Sequence, residues 1–471
     1  MNRTKKLVKD ILLFAIASFG PNFLSFLFVP LYTSYLSTES YGMADLLNTI
    51  SALLLPVLML DISDAIMIRT VDWRSKERKE GAALRYGFVI LAKSSCILFA
   101  GLIVFIALTR NESYYLYAIY IFLQYIIMAL YNNLLAYLRG TDQVPVIVTA
   151  GIIQSLVTIF SNLIFIVFFQ WGLVGILFAT ILGGVVTDIY VMVKVKIKTL
   201  ISTSKLVTNE EKKGMLSYSI PLIFTGLAWW INSSSDRLFI SYFLGVGING
   251  IYAVANKIPV VLGACHNVIY QAMQLSVFSE RKATDKKEYF QTLYNIYNFL
   301  MTSICCVLII LNKVLARFLF KGEFFIAWKY SPALLISIGL FSVAGYLTTI
   351  YAAESETKSI AKATVLGAGI NSMLNLILIT RLNLYGAVIA TLVGYFVIWL
   401  VMALEAPKKI GIRLDIKISL FGYMVLCVQW LVLLYIKEYI GYAIQCVLAV
   451  LLIIMNRKTL KELYSIAKKF L

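Results

Sequence analysis

Nine ionisable side chains lie three or more residues inside the apolar stretches of this 471-residue chain: the bases Lys93, Arg237 and Lys257, the acids Asp45, Asp61, Asp64, Asp188 and Asp236, and the sole histidine, His266. A charge in the middle of an apolar slab costs about 3 kcal/mol or more unless it faces protein or water. The bases suit an anion such as phosphate, whereas carboxylates and imidazole suit a proton or a cation. Lys257 is the strongest candidate for ligand contact. It lies seven residues into its stretch, about 10 Å below the rim at 1.5 Å per residue, a distance a lysine tail covers only in part. Ser233-Ser-Ser-Asp236-Arg237 sets an acid beside a base, either a self-neutralising pair or a guanidinium aimed at phosphate. Asp61 and Asp64 precede Arg69 and Asp45 lies near the other end of its stretch, so for all three the alternative is a side chain that reaches the rim. Between Asn249 and Gln274 a helical wheel gathers Asn249, Asn256, Gly263, Asn267 and Gln274 on one face, with Lys257 and His266 flanking it on opposite sides. A polar face on an apolar helix should line a cavity. A single histidine is more often a packed residue than a proton switch.

The elements that must position these residues follow from composition. With 60% hydrophobic and 14% charged residues the chain cannot fold around one soluble core. Fourteen apolar runs have the length of a membrane helix: 10 to 36, 42 to 68, 86 to 109, 114 to 138, 144 to 169, 173 to 193, 215 to 243, 250 to 278, 290 to 312, 329 to 352, 360 to 380, 384 to 404, 418 to 436 and 440 to 456. Runs this rich in Leu, Ile and Phe exclude a polar-lumened barrel, so the expected fold class is an all-α membrane protein. Of 42 Lys and Arg, 31 fall at the termini and in alternate gaps, six in the other gaps and five within runs, of which Lys329 and Lys362 stand at run ends. The positive-inside bias then predicts a cytoplasmic location for both termini and for the basic gaps near 70 to 85, 194 to 214, 279 to 289 and 405 to 417. The net charge of +18 is accounted for by topology and gives no support to nucleic-acid binding.

Met-Asn-Arg-Thr-Lys-Lys leads into the first run without an Ala-x-Ala site, which predicts a retained helix. All six cysteines fall inside runs and imply no disulfide framework. The basic gap at 194 to 214 divides the chain into a predicted lobe of six helices (1 to 200), a second lobe (201 to 410) and two further helices with a basic tail (411 to 471). Leu173-Val-Gly175-Ile-Leu-Phe-Ala179-Thr180-Ile-Leu-Gly183 repeats as Leu384-Tyr-Gly386-Ala-Val-Ile-Ala390-Thr391-Leu-Val-Gly394. Small residues four apart permit close helix packing, which is the main reading of both segments. Gly42 and Asn48 are echoed by Gly250 and Asn256, and together the matches predict two parallel six-helix repeats around a central cavity. Five of eight prolines lie within runs: Pro21, Pro30, Pro56, Pro221 and Pro259. They mark the first two helices of each lobe. Pro21, Pro56, Pro221 and Pro259 are therefore candidates for kinks that gate the cavity.

The two repeats, the two additional helices, Asp236-Arg237 followed by a short turn and Gly250-Ile-Tyr252-Ala-Val-Ala-Asn256-Lys257, and the paired Gly-x3-Ala-Thr segments together resemble the Wzx-type polysaccharide flippases of the multidrug/oligosaccharidyl-lipid/polysaccharide exporter superfamily. The resemblance spans nearly the whole chain. It implies two lobes around a cavity lined by the four proline-bearing helices. It also implies transfer of an undecaprenyl-pyrophosphate-linked oligosaccharide (an O-antigen, capsule or exopolysaccharide unit) to the outer leaflet of a bacterial cytoplasmic membrane. Polysaccharide polymerase and chain-length machinery are implied as partners, and no cofactor other than a proton or sodium gradient. On that reading Arg237, Lys257, Asn256, Asn267 and Lys93 contact substrate, and Asp61, Asp64 or His266 couples an ion.

Two other classes are weighed beside it. A drug or cation antiporter of the same superfamily would use Asp61 or Asp64 but ordinarily has twelve helices. A membrane-embedded glycolipid enzyme would need a sizeable outward loop, and the longest here has about 16 residues. One histidine supplies neither a zinc site nor a Ser-His-Asp system of the usual kind. Gly245-Val-Gly247-Ile-Asn-Gly250 matches a dinucleotide fingerprint only as text, because it joins two apolar runs and reads as a tight turn. No phosphate-binding Gly-x4-Gly-Lys-Ser/Thr occurs, which argues against ATP as the direct energy source.

Overall fold

The computed structural model describes residues 26–73, 81–280 and 285–470. Every regular element among them is helical: α1 (Val29–Tyr35), α2 (Thr38–Leu58), α3 (Ile62–Trp73), α4 (Ala82–Thr109), α5 (Ser113–Gly140), α6 (Val144–Asn162), α7 (Gly172–Val195), α8 (Ile197–Thr203), α9 (Asn209–Phe243), α10 (Val246–Ala255), α11 (Lys257–Glu280), α12 (Lys286–Leu319), α13 (Ser331–Ala353), α14 (Thr357–Leu382), α15 (Leu384–Lys409), α16 (Ile416–Tyr435), α17 (Glu438–Met455) and α18 (Arg457–Phe470). A π-helical segment, Leu163–Phe168, extends α6, and a 3-10 segment, Gly322–Lys329, precedes α13. Twelve described helices are long and apolar enough to cross a membrane, and α10 with the first part of α11 forms a thirteenth, bent by 42°. These match the second to fourteenth apolar runs. Most of the first run, with Pro21, lies outside the described residues.

The chain forms two compact units. Among the described residues the first contains residues 26–28 and Tyr35–Trp230, and the second contains Val29–Ser34 and the chain from Ile231 onward. The division falls inside α9. In the first unit α5 packs against α2, α3, α4 and α7. The fully buried Tyr125 of α5 donates to Ser94 Oγ of α4 at 2.6 Å, and Tyr120 donates to Asn48 Oδ1 of α2 at 2.7 Å. Its apolar core includes Ile62, Ile66, Leu84 and Trp73.

In the second unit α13 is the most enclosed span and packs against α11, α12 and α15. The last two spans, α16 and α17, both pack on α12, where Tyr423 donates to Asn298 Oδ1 at 3.3 Å. The repeated glycines act as the close-packing residues their spacing predicts. A Cβ on Gly386 would collide with the backbone of Leu378 in α14, and one on Gly175 would stand 3.2 Å from the Phe165 carbonyl.

A bend accompanies one of the in-span prolines. Pro259 has no N–H for the Ala255 carbonyl four residues earlier, and the helix bends there, between α10 and α11. Ser331 Oγ donates to that carbonyl instead, at 2.8 Å. By contrast α9 runs through Pro221 as one element. The break between α2 and α3 falls after Pro56, at Met59–Asp61, where Leu60 (φ 52°) and Asp61 (φ 49°) are left-handed. Proline clashes with the turn preceding it, so Pro56 does not account for a break on its C-terminal side.

Candidate functional site

Polar side chains converge at three places, each within one unit. In the second unit Asp236 of α9 is 1% exposed. Its carboxylate accepts from Tyr252 Oη of α10 at 2.7 Å, from Asn375 Nδ2 and Asn371 Nδ2 of α14 at 2.5 and 3.4 Å, and from the Thr391 hydroxyl of α15. A buried carboxylate is tolerable only with such donors, each contributing about 1.5–3 kcal/mol as a charge-assisted bond. The threonine of the repeated Gly-x3-Ala-Thr segment thus holds the acid of α9 as well as packing α15.

Tyr252 joins this acid to the predicted substrate residues. Its ring lies beneath the Arg237 guanidinium, 5.9 Å from Cζ to the ring centroid, and its carbonyl accepts Asn256 Nδ2 at 2.9 Å. Arg237 Nη1 also donates to the Ser233 carbonyl at 3.1 Å. Lys257 opens α11 directly after the bend and is half-buried, as is Asn256. Asn267 is exposed further along α11. Lys93 is apart from this group, on α4 in the first unit, and shares its exposed face with Val89 and Ile97.

His266 is packed. Its Nδ1 is hydrogen-bonded to Tyr297 Oη, and Tyr270, Tyr297 and Phe341 place their rings 5.1, 6.2 and 5.7 Å from it. Asp64 is exposed at the start of α3, and Asp45 is half-buried on α2. Asp188 of α7 is 3% exposed, and neither of its carboxylate oxygens has a hydrogen-bond partner among the described residues.

Asp61 lines a cavity of about 260 Å³ in the first unit. Pro56, Ser63, Asn132, Asn133 and Trp230 are also in its wall. Asn133 is fully buried, with neither amide atom hydrogen-bonded among the described residues. A second cavity of about 190 Å³ is lined by Gln124, Tyr131, Gln154, Thr180 and Thr187, and Asn132 borders both. Sequence reasoning missed Asn132-Asn133, Asn371 and Asn375. Two asparagines a turn apart in one apolar run, and an Asn-Asn pair in another, were the available signals.

The structure described as lipid II flippase MurJ in an inward closed conformation superposes with a TM-score of 0.68 at 15% identity, over 96% of this chain and all of that one. An inward-facing multidrug resistance MATE family transporter of the MOP superfamily gives 0.68 at 16% identity, over 84% of this chain and 98% of that one. A MATE crystal structure in complex with MaD3S gives 0.59 at 18% identity and 85% of this chain. These likenesses show the fold: an all-helical membrane protein built like the MurJ and MATE structures. No curated protein sequence matches significantly. The family model for polysaccharide biosynthesis proteins matches residues 7–280, more than half of the chain, and the protein belongs to that family.

Proposed function

We propose that the protein is a flippase that moves an undecaprenyl-pyrophosphate-linked oligosaccharide from the inner to the outer leaflet of a bacterial cytoplasmic membrane, with both termini cytoplasmic. The observation that carries this reading is the family match over residues 7–280. The fold shared with the MurJ flippase over 96% of the chain supports it. Arg237 and Lys257 bind the pyrophosphate, with Asn256 and Asn267 on the adjoining sugar. Arginine suits the planar arrangement of phosphate oxygens, and lysine adds a point charge on a long stem. Alternating access exposes the headgroup to one leaflet at a time, and a proton or sodium gradient resets the cycle. The protein performs no bond chemistry on the glycan. Complementation of a strain lacking its own flippase tests the assignment: Arg237→Gln with Lys257→Gln abolishes polysaccharide export while leaving membrane insertion intact.

The antiporter reading has its own support in the MATE likenesses. They extend over 84–85% of this chain, against 96% for MurJ, which favours the flippase.

A further inference from the structure

The cavity of about 260 Å³ at the break between α2 and α3 is far larger than a dehydrated ion needs, and its walls are of two kinds. The polar lining comprises Asp61, Ser63, Asn132 and Asn133, and the apolar lining includes Leu55, Pro56, Met59 and Trp230. A carboxylate accepts two hydroxyl protons, and an amide both donates and accepts. Aromatic and aliphatic walls cover the C–H face of a ring whose rim is polar. That combination is the chemistry of a pyranose. A cation site would instead converge several oxygens at a short, fixed radius.

Asn133 points to a ligand independently. It is 0% exposed, yet both amide atoms lack hydrogen-bond partners among the described residues. Leaving such a group unmade costs about 1–3 kcal/mol, a cost that sugar hydroxyls would remove. Gly87 of α4 leaves room for this amide, since a Cβ there would come within 3.2 Å of Asn133 Nδ2. Asp61 is placed by left-handed backbone at Leu60 and Asp61, neither of them glycine. At Leu60 such backbone costs about 1–2 kcal/mol and persists where surrounding structure demands it. Gly226 of α9 also lines the cavity, and a Cβ there would be 3.5 Å from Pro56 Cβ and 3.8 Å from Asp61 Oδ2.

We propose that this cavity is a monosaccharide site, holding one pyranose of the glycan with Asp61, Ser63 and Asn133 on its hydroxyls and Trp230 against its apolar face. The inference rests on the transport reading for the origin of the sugar. It assigns Asp61 to glycan recognition.

The test is saturation-transfer NMR on the purified full chain in nanodiscs, with the methyl glycosides of glucose, galactose, N-acetylglucosamine and rhamnose as probes. Saturation transfer to at least one glycoside is expected. It should fall at least tenfold in Asp61→Asn and in Gly226→Val, which narrows the cavity without removing a polar group. Asp61→Glu should retain part of the signal, and Asp188→Asn should keep it. Thermal melts identify any variant that fails to fold. Absence of an Asp61-dependent signal across the four probes overturns the proposal, as does Asp61-dependent binding of radioactive sodium without glycoside transfer. Glycolipid translocation by the same preparation is measured separately. Translocation without Asp61-dependent glycoside binding refutes only the sugar site; glycoside binding without translocation sustains the site and refutes the flippase reading.

Discussion

Ser331 Oγ donates to the Ala255 carbonyl at 2.8 Å, serving the acceptor that Pro259 leaves unpaired at the bend before Lys257. The bend is therefore a repaired break, fixed by a hydroxyl from another helix, and it sets the direction in which α11 carries Lys257.

Ser331→Ala should orphan that carbonyl and cost about 1–3 kcal/mol. Restoring an N–H with Pro259→Ala in the same chain should recover most of the loss. Thermal melts of the two single variants and the double variant measure the coupling; strict additivity would contradict the account.

Asp236→Asn keeps the side-chain shape but turns an amide N–H2 toward donors from Tyr252, Asn371, Asn375 and Thr391. The expected cost is about 2–5 kcal/mol, larger than that of Thr391→Val, which removes only one donor. Melting of the purified variants orders the two, and a reversed order would refute the lock.

Gly386→Ala should sharply reduce folded protein, because its Cβ collides with the Leu378 backbone across the α14–α15 contact. Gly369→Ala on α14 meets nothing within 4 Å and should be neutral or slightly stabilising. Yield in size-exclusion chromatography discriminates the pair; equal behaviour would mean that the helices are not so closely packed.

What could be read from the amino-acid order divides by range. Length and polarity located the thirteen later spans, because the bilayer constraint acts on each run alone. Pro259 announced the bend at Asn256, since its effect reaches only four residues back. The break at Met59–Asp61 had no such marker, as Leu60 is not a residue that favours left-handed backbone. The Asp236 lock was hidden for another reason: Asn371, Asn375 and Thr391 lie 135 to 155 residues away, and only the packing of α14 and α15 brings them to it. Polarity counting weighed charged residues above amides, and so it passed over Asn133. Lys93, chosen because it is a base within a span, shares an exposed face with apolar side chains.

The most direct test of the flippase reading follows the leaflet of the substrate. The protein is reconstituted in liposomes with undecaprenyl-pyrophosphate oligosaccharides, and their exposure to an impermeant glycosidase is measured over time. Protein-dependent exposure that is lost in Arg237→Gln with Lys257→Gln is the predicted result. No exposure with any of several glycolipids, together with gradient-driven uptake of cationic dyes, would contradict it and identify a cation antiporter.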